Sequence, residues 1–226
     1  MKKTKKFLYF VTCVILFSVF LGISSAEENK KYIALTFDDG PHPVYTQKIL
    51  DILEEEKVSA TFFVVGYRAE LLPEALKRMI KLNCEIGNHT YNHADLSGNS
   101  VKNGVTYQIE KCSEAIFAAT GEYPVIYRPP FGKISKANEK RIPLKKILWT
   151  VDSLDWNTKN KDRVVRNVVK NVKDGSIVLM HDFYESTLKA LPEIINTLKT
   201  EGYEFVTVSE LAALKKISRL HEYFMD

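Results

Sequence analysis

This sequence lacks the features that mark several common classes of protein. Cysteine is scarce: of three, Cys13 lies in an N-terminal apolar segment, which leaves only Cys84 and Cys112. These two could pair in an oxidising compartment or stay as buried thiols, and no disulfide is assigned. The chain has no dinucleotide-binding glycine fingerprint and no phosphate-binding glycine loop, which weakens any reading as a nucleotide-binding open sheet. No linker or low-complexity stretch interrupts it after residue 31, so one domain is expected. Excess charge is missing too, once the N-terminus is set aside. The 226 residues carry 32 basic and 28 acidic side chains, but Lys2, Lys3, Lys5 and Lys6 fall in the first 26 residues, which hold no acid. Residues 27–226 are therefore balanced, and a formally neutral domain offers no electrostatic case for binding nucleic acid.

What is present begins at that N-terminus. Four lysines precede an apolar run from Phe7 to Ile23, and Ser24-Ser25-Ala26 supplies small residues for cleavage. This is the layout of a secretory signal peptide over residues 1–26, with Glu27 as the mature start. The run of 17 residues also has nearly the length of an N-terminal membrane anchor. Either way, the domain over residues 27–226 is expected to work outside the cytoplasm, secreted or attached to the outer face of the membrane.

From residue 31 onward, strand-like and helix-like runs alternate. Ile33, Leu35 and Phe37 alternate as a strand, and Tyr45, Ile49, Ile52 and Leu53 share one helical face. Further strands are expected at Ala60–Val65, Glu85–Gly87, Val125–Tyr127, Ile147–Val151, Ile177–Met180 and Phe205–Val208. Helical spacing recurs in Leu72, Leu76, Met79 and Ile80, in Val101–Thr120, in Val164, Val165, Val168 and Val172, and in Leu188, Leu191, Ile195 and Leu198. Alternation of this kind implies parallel pairing through right-handed crossovers. Seven strands in one domain point to an α/β barrel, complete or incomplete, with an open doubly wound sheet as the alternative. The tail from Lys215 to Asp226 reads as a fraying helix end.

The polar residues with chemistry to offer fall at the ends of these strands. Asp38-Asp39 follow the first, His89 and His93 the third, Arg128 the fourth, Asp152 and Asp155 the fifth, and His181-Asp182 the sixth. In a parallel barrel all strand C-termini share one face, so these ends deliver acids, imidazoles and a guanidinium to one mouth. His89 and His93, with one Asp, would make a two-histidine, one-carboxylate metal site with open positions. Zinc is the first expectation for it; cobalt, nickel, iron and manganese also suit such donors. His181 alone could be a satisfied core histidine, but with Asp155 beside it, it could be a proton donor near neutral pH. Arg128 could hold Asp38 ionised. His42 and His221 have no such company and read as surface histidines.

Five motifs now stand in one order: Thr36-Phe37-Asp38-Asp39-Gly40-Pro41, His89-Thr90-Tyr91-Asn92-His93, Arg128-Pro129-Pro130-Phe131-Gly132, Asp152-Ser153-Leu154-Asp155-Trp156 and Leu179-Met180-His181-Asp182. Together they resemble the polysaccharide deacetylases of the NodB-homology type, carbohydrate esterase family 4, over about residues 31–213. The resemblance implies a distorted (β/α)7 barrel that removes acetyl groups from N-acetylated amino sugars. By position it implies Asp39, His89 and His93 as metal ligands and Asp38 as general base. It also pairs Arg128 with Asp38, and has Asp155 tune His181, the general acid. Trp156 and Leu179 would line the acetyl pocket, and the Phe131 N–H would face the oxyanion. Many members carry Tyr where this chain has Phe131, which puts sugar preference, not activity, in question. The branch that makes muramic lactam typically has Asn where this chain keeps Asp39.

Competing expectations are a carbohydrate-binding or regulatory domain without catalysis, and a metal-dependent amidohydrolase on peptides or small amides. Among polysaccharide substrates, peptidoglycan N-acetylglucosamine fits a lone exported domain best and chitin oligomers come next. Trp149, Phe183 and Tyr184 would favour sugars if they line a groove, though each could equally be a core residue. Oligomeric state has no signature in the sequence.

Overall fold

The strand expected from Ile33, Leu35 and Phe37 forms as β1 (Lys31–Asp38), and every residue from Ile33 to Asp38 is buried. Burial on both faces is what the centre of a parallel sheet requires. The computed structural model describes residues 30–98, 101 and 103–215. Residues 1–26 and the tail from Lys216, with His221 in it, lie outside the described residues. Tyr32–Asp226 form one unit; Met1–Lys31 form a second, nearly all of it outside the described residues.

The strands after β1 are β2 (Thr61–Val64), β3 (Glu85–Asn88), β4 (Ile126–Tyr127), β5 (Lys145–Lys146), β6 (Val151–Asp152), β7 (Ser176–His181) and β8 (Tyr203–Phe205). The sheet runs β5-β4-β3-β2-β1-β7-β6, and β8 pairs with β1 off this path. All six pairings along the path are parallel. The result is a curled, distorted half-barrel in one α/β domain, so the barrel expectation holds and the open doubly wound alternative falls away.

One expected strand is almost wholly absent. Of Ile147–Val151 only Val151 is in a strand, opening β6; residues 147–150 separate β5 from β6, the two ends of the sheet. The Ile147 N–H bonds the Tyr127 carbonyl at 2.8 Å on one edge, and the Thr150 N–H bonds the Ile177 carbonyl at 3.0 Å on the other. The carbonyls of Ile147 and Leu148 accept from the Arg128 guanidinium at 3.3 and 2.9 Å. The hydrogen bonds of this segment go to both sheet edges and to one buried side chain. The chain thus crosses between the edges in a few residues.

Helices cover the sheet: α1 (Tyr45–Glu56), α2 (Gly66–Leu71), α3 (Pro73–Lys81), α4 (Val105–Thr120), α5 (Lys136–Glu139), α6 (Asp155–Thr158), α7 (Lys161–Val169), α8 (Glu185–Thr200) and α9 (Val208–Leu214). Val208, expected in the last strand, instead opens α9. The apolar faces read from the sequence turn inward. Ile49, Leu53, Leu76, Met79, Leu191, Ile195 and Leu198 are buried in one core with Phe37 and Phe62, and each such side chain contributes about 1.5–3 kcal/mol of burial. Ile80, by contrast, is exposed. Cys84 and Cys112 are both free and buried. Burial pushes their thiols up to about 11 and about 12, so neither is a reactive thiolate. No helix among the described residues is long and apolar enough to cross a membrane.

Candidate active site

Five strand ends meet as the topology demands. Asp38 closes β1, Asp152 closes β6 and His181 closes β7, while His89 and Arg128 directly follow β3 and β4. They surround a cavity of about 380 Å³ lined by eight predicted residues: Asp38, Asp39, His89, His93, Phe131, Trp156, Leu179 and His181. The other two, Arg128 and Asp155, are fully buried behind it.

One oxygen of Asp39 and one nitrogen each of His89 and His93 lie within 4.8 Å of one another. His89 Nδ1 is 2.8 Å from the Arg128 carbonyl, which can only accept. The proton therefore sits on Nδ1, and Nε2 turns its lone pair toward Asp39, 3.4 Å from Oδ1. His93 Nε2 approaches the same oxygen at 3.1 Å. Asp39 Oδ1 is nevertheless buried without a hydrogen bond. A carboxylate oxygen and two imidazole nitrogens crowded at one point, with that oxygen unsatisfied, fit a divalent cation. Burial would raise the Asp39 carboxyl, but the two imidazoles outweigh it and hold it well below the usual carboxylate range.

The backbone here is bent into unusual forms. Asp39, Thr90, His93, Phe131 and Leu154 all have positive φ, between 55° and 75°. Non-glycine residues avoid this region, and clusters of them occur where a site dictates side-chain direction. Gly40 is required for a different reason. A Cβ there would lie 2.1 Å from Asp182 Oδ2, so the loop carrying Asp39 rests directly on that buried carboxylate. Thr46 holds the same oxygen through a short hydrogen bond, and burial raises the Asp182 carboxyl to about 7.

Asp38 Oδ1 accepts from Arg128 Nη1 at 2.6 Å, and Thr36 Oγ1 takes a second bond from that nitrogen at 2.8 Å. The Phe63 ring lies 4.1 Å from the guanidinium carbon. Burial pulls the Arg128 guanidinium down while Asp38 pulls it up. Fully buried and hydrogen-bonded at Nε, Nη1 and Nη2, Arg128 fixes one Asp38 oxygen and leaves the other facing the cavity, 3.8 Å from His89 Nε2.

His181 is organised by Asp155. Asp155 Oδ1 lies 2.8 Å from His181 Nδ1 and accepts the Trp156 N–H at 2.8 Å. Its Oδ2 accepts the His181 N–H at 2.7 Å and the Thr187 hydroxyl at 2.6 Å. Burial would lower the imidazole, but the Asp155 carboxylate outweighs it and raises His181 to about 9. The ring is a cation at neutral pH with Nε2 left for the cavity.

The walls contain residues the sequence left undecided or unremarked. Trp149 and Tyr184 line the cavity and are not core residues, and Lys133 stands at its rim. Their neighbourhood to the motifs (Phe131-Gly132-Lys133, His181-Asp182-Phe183-Tyr184) was the available signal. Phe131 is exposed, its ring 4.9 Å from that of His93. His42, expected at the surface, is half-buried instead. Its Nδ1 accepts the Val44 and Tyr45 N–H groups at 3.1 Å each, ahead of α1, where Val44 offers no side-chain cap.

Comparison with known proteins agrees with this geometry. Residues 25–143 match the family described as polysaccharide deacetylase. The chain is 42% identical over 192 residues to the peptidoglycan-N-acetylmuramic acid deacetylase PdaC of Bacillus subtilis, covering 85% of this chain but only 41% of that protein. It is 40% identical over 195 residues to a peptidoglycan-N-acetylglucosamine deacetylase of Bacillus cereus, covering 83% of this chain and 91% of that one. The solved structure of the Bacillus subtilis PdaC superposes with a TM-score of 0.80 at 42% identity, over 86% of this chain and 96% of that chain.

Proposed function

The chain belongs to the polysaccharide deacetylase family, and from that membership we propose that it is a peptidoglycan deacetylase, hydrolysing the N-acetyl group of N-acetylglucosamine and releasing acetate. The observation that carries this reading is the juxtaposition, in one cavity, of the Asp39–His89–His93 donor set, the Asp38–Arg128 pair and the His181–Asp155 pair. Binding alone would need neither a fixed carboxylate nor a charged imidazole facing each other across a metal site. N-acetylmuramic acid is the second reading, because a relative of equal similarity is named for that sugar. Chitin oligomers rank third.

Each residue then has one task. Asp39, His89 and His93 would hold a divalent metal, zinc by preference. When bound, that ion supplies Lewis acidity toward the acetamide carbonyl and the attacking water. Asp38, oriented by Arg128, accepts the proton that the water gives up as it attacks. The N–H of Phe131, a residue that lines the same cavity, donates to the developing oxyanion. His181 gives its Nε2 proton to the departing amine, since an amide nitrogen leaves poorly without one, and Asp155 stabilises the charged ring beforehand. Trp156 and Leu179 enclose the acetyl methyl group. Residues 1–26 would export the domain to the glycan it acts on.

Acetate release by the purified, metal-stripped protein, resupplied with zinc or cobalt, tests this. Peptidoglycan and N-acetylglucosamine oligomers are offered side by side. Metal-dependent acetate from peptidoglycan is the expected outcome; metal bound without acetate from either substrate would overturn the reading.

A further inference from the structure

A second cavity, of about 210 Å³, adjoins the first and shares Asp39, His93 and Tyr184 with it. Its outer wall is Tyr67, Arg68 and Phe183. The guanidinium carbon of Arg68 sits 4.5 Å from the Phe183 ring centroid and 5.2 Å from that of Tyr67. Such contacts engage the faces of a guanidinium and leave its N–H edge free. Among the described residues, that edge has no hydrogen-bond acceptor and no carboxylate within ion-pair distance. Two other arginines show the contrast: Arg78 pairs with Asp51 and Glu54, and Arg128 with Asp38. Arg68 is half-buried, held by two rings, and has its donors unused at the edge of a cavity next to the metal ligands.

We propose that Arg68 binds a carboxylate of the glycan beside the acetamido group being removed, and so makes the site prefer an acidic strand to a neutral one. The inference rests on the deacetylase reading. A planar fork of N–H donors matches a carboxylate in two parallel bonds. Peptidoglycan carries carboxylates close to its acetamido groups, on the lactyl ether of its muramic sugar or on the peptide attached there. Chitin carries none. An aromatic-walled cavity containing a fixed cation therefore sorts the two classes of glycan by charge, a discrimination that rings alone do not provide.

The test compares three probes: a peptide-free tetrasaccharide of alternating glucosamine and muramic units with free lactyl carboxylates, its methyl ester, and a peptide-bearing strand. Dissociation constants are measured calorimetrically on the metal-free protein, and kcat/KM on the zinc-loaded protein. Wild type is expected to bind a carboxylate-bearing probe about tenfold tighter than the ester, the worth of one charge-assisted pair at a half-exposed site. That preference should shrink as salt is raised. Arg68→Gln should erase it, and Arg68→Lys should restore part of it. A gain from the free lactyl probe assigns the lactyl carboxylate, and a gain from the peptide-bearing strand alone assigns the peptide's. Equal weakening of acid and ester in Arg68→Gln would show a packing role and overturn the proposal, as would no change in either. Absence of acetate from the loaded wild type would refute the deacetylase reading, yet the metal-free binding comparison would still decide Arg68.

Discussion

Replacing Asp155 by Asn changes one atom of a buried carboxylate and should reverse the protonation behaviour of His181. All four partners of Asp155 approach it as donors in the structure: the His181 ring, the His181 and Trp156 N–H groups and the Thr187 hydroxyl. An amide must turn its NH2 toward two of them, so at least one strong bond is lost whichever way it lies. The larger effect is electrostatic. His181 is raised from 6.5 to about 9, against a burial penalty that acts the other way. That shift corresponds to roughly 3 kcal/mol of preference for the charged ring. Without the Asp155 carboxylate the burial penalty remains and only the more distant charges of Asp38 and Asp39 oppose it, so the midpoint should fall well below 9.

NMR titration of the His181 ring in metal-stripped protein reads this directly, with a midpoint near 9 in wild type and a clearly lower one in Asp155→Asn. In the loaded enzyme at pH 8 the variant should lose about a hundredfold or more in kcat, the usual worth of a general acid. Stability follows with a definite sign. The native ring binds its proton more tightly than the unfolded one, so its contribution is complete below pH 6.5 and is lost as pH rises through about 9. The wild type's advantage over Asp155→Asn in urea unfolding should shrink across that window. A His181 midpoint that stays near 9 in the variant, or a variant with unchanged kcat, would refute the assignment of Asp155 as the group that keeps His181 charged.

Three further substitutions separate the remaining roles. Asp38→Asn should abolish acetate release while zinc still binds with wild-type stoichiometry, because the ligand set is Asp39, His89 and His93; normal acetate release would remove Asp38 as the base. His89→Ala should lose metal and activity together by elemental analysis and acetate assay, and an active metal-free variant would take His89 out of the site. Gly40→Ala should cost about 1–3 kcal/mol in urea melts, the usual range for overpacking, since its methyl group would press on a carboxylate that Thr46 holds in place. It should also weaken zinc binding through the adjacent Asp39.

The chemistry was legible in the sequence because strand ends are where a parallel sheet gathers its functional groups. Asp38, His89, Arg128 and His181 each follow an apolar run, so knowing that the runs pair in parallel is enough to bring them together. Less visible were features set by contacts between distant segments. Gly66 reads as a breaker, yet it opens α2, where a Cβ would come within 2.8 Å of the Cys112 backbone in α4. It is there to let two helices approach. Trp149 and Tyr184 have the composition of core residues, and only the cavity distinguishes a ring that faces a groove from one that faces the interior.

The failure at Ile147–Val151 explains the shape of the site. Periodicity sees an apolar run and returns a strand, because it registers side chains and not the fate of carbonyl groups. Here the Arg128 side chain reaches the carbonyls of Ile147 and Leu148 with one part of its guanidinium and Asp38 with another. The same cation therefore orients the proposed base and holds the segment that joins the two edges of the sheet. The break between β5 and β6 and the orientation of the Asp38 carboxylate meet in one buried side chain, so a substitution at Arg128 should disturb both together.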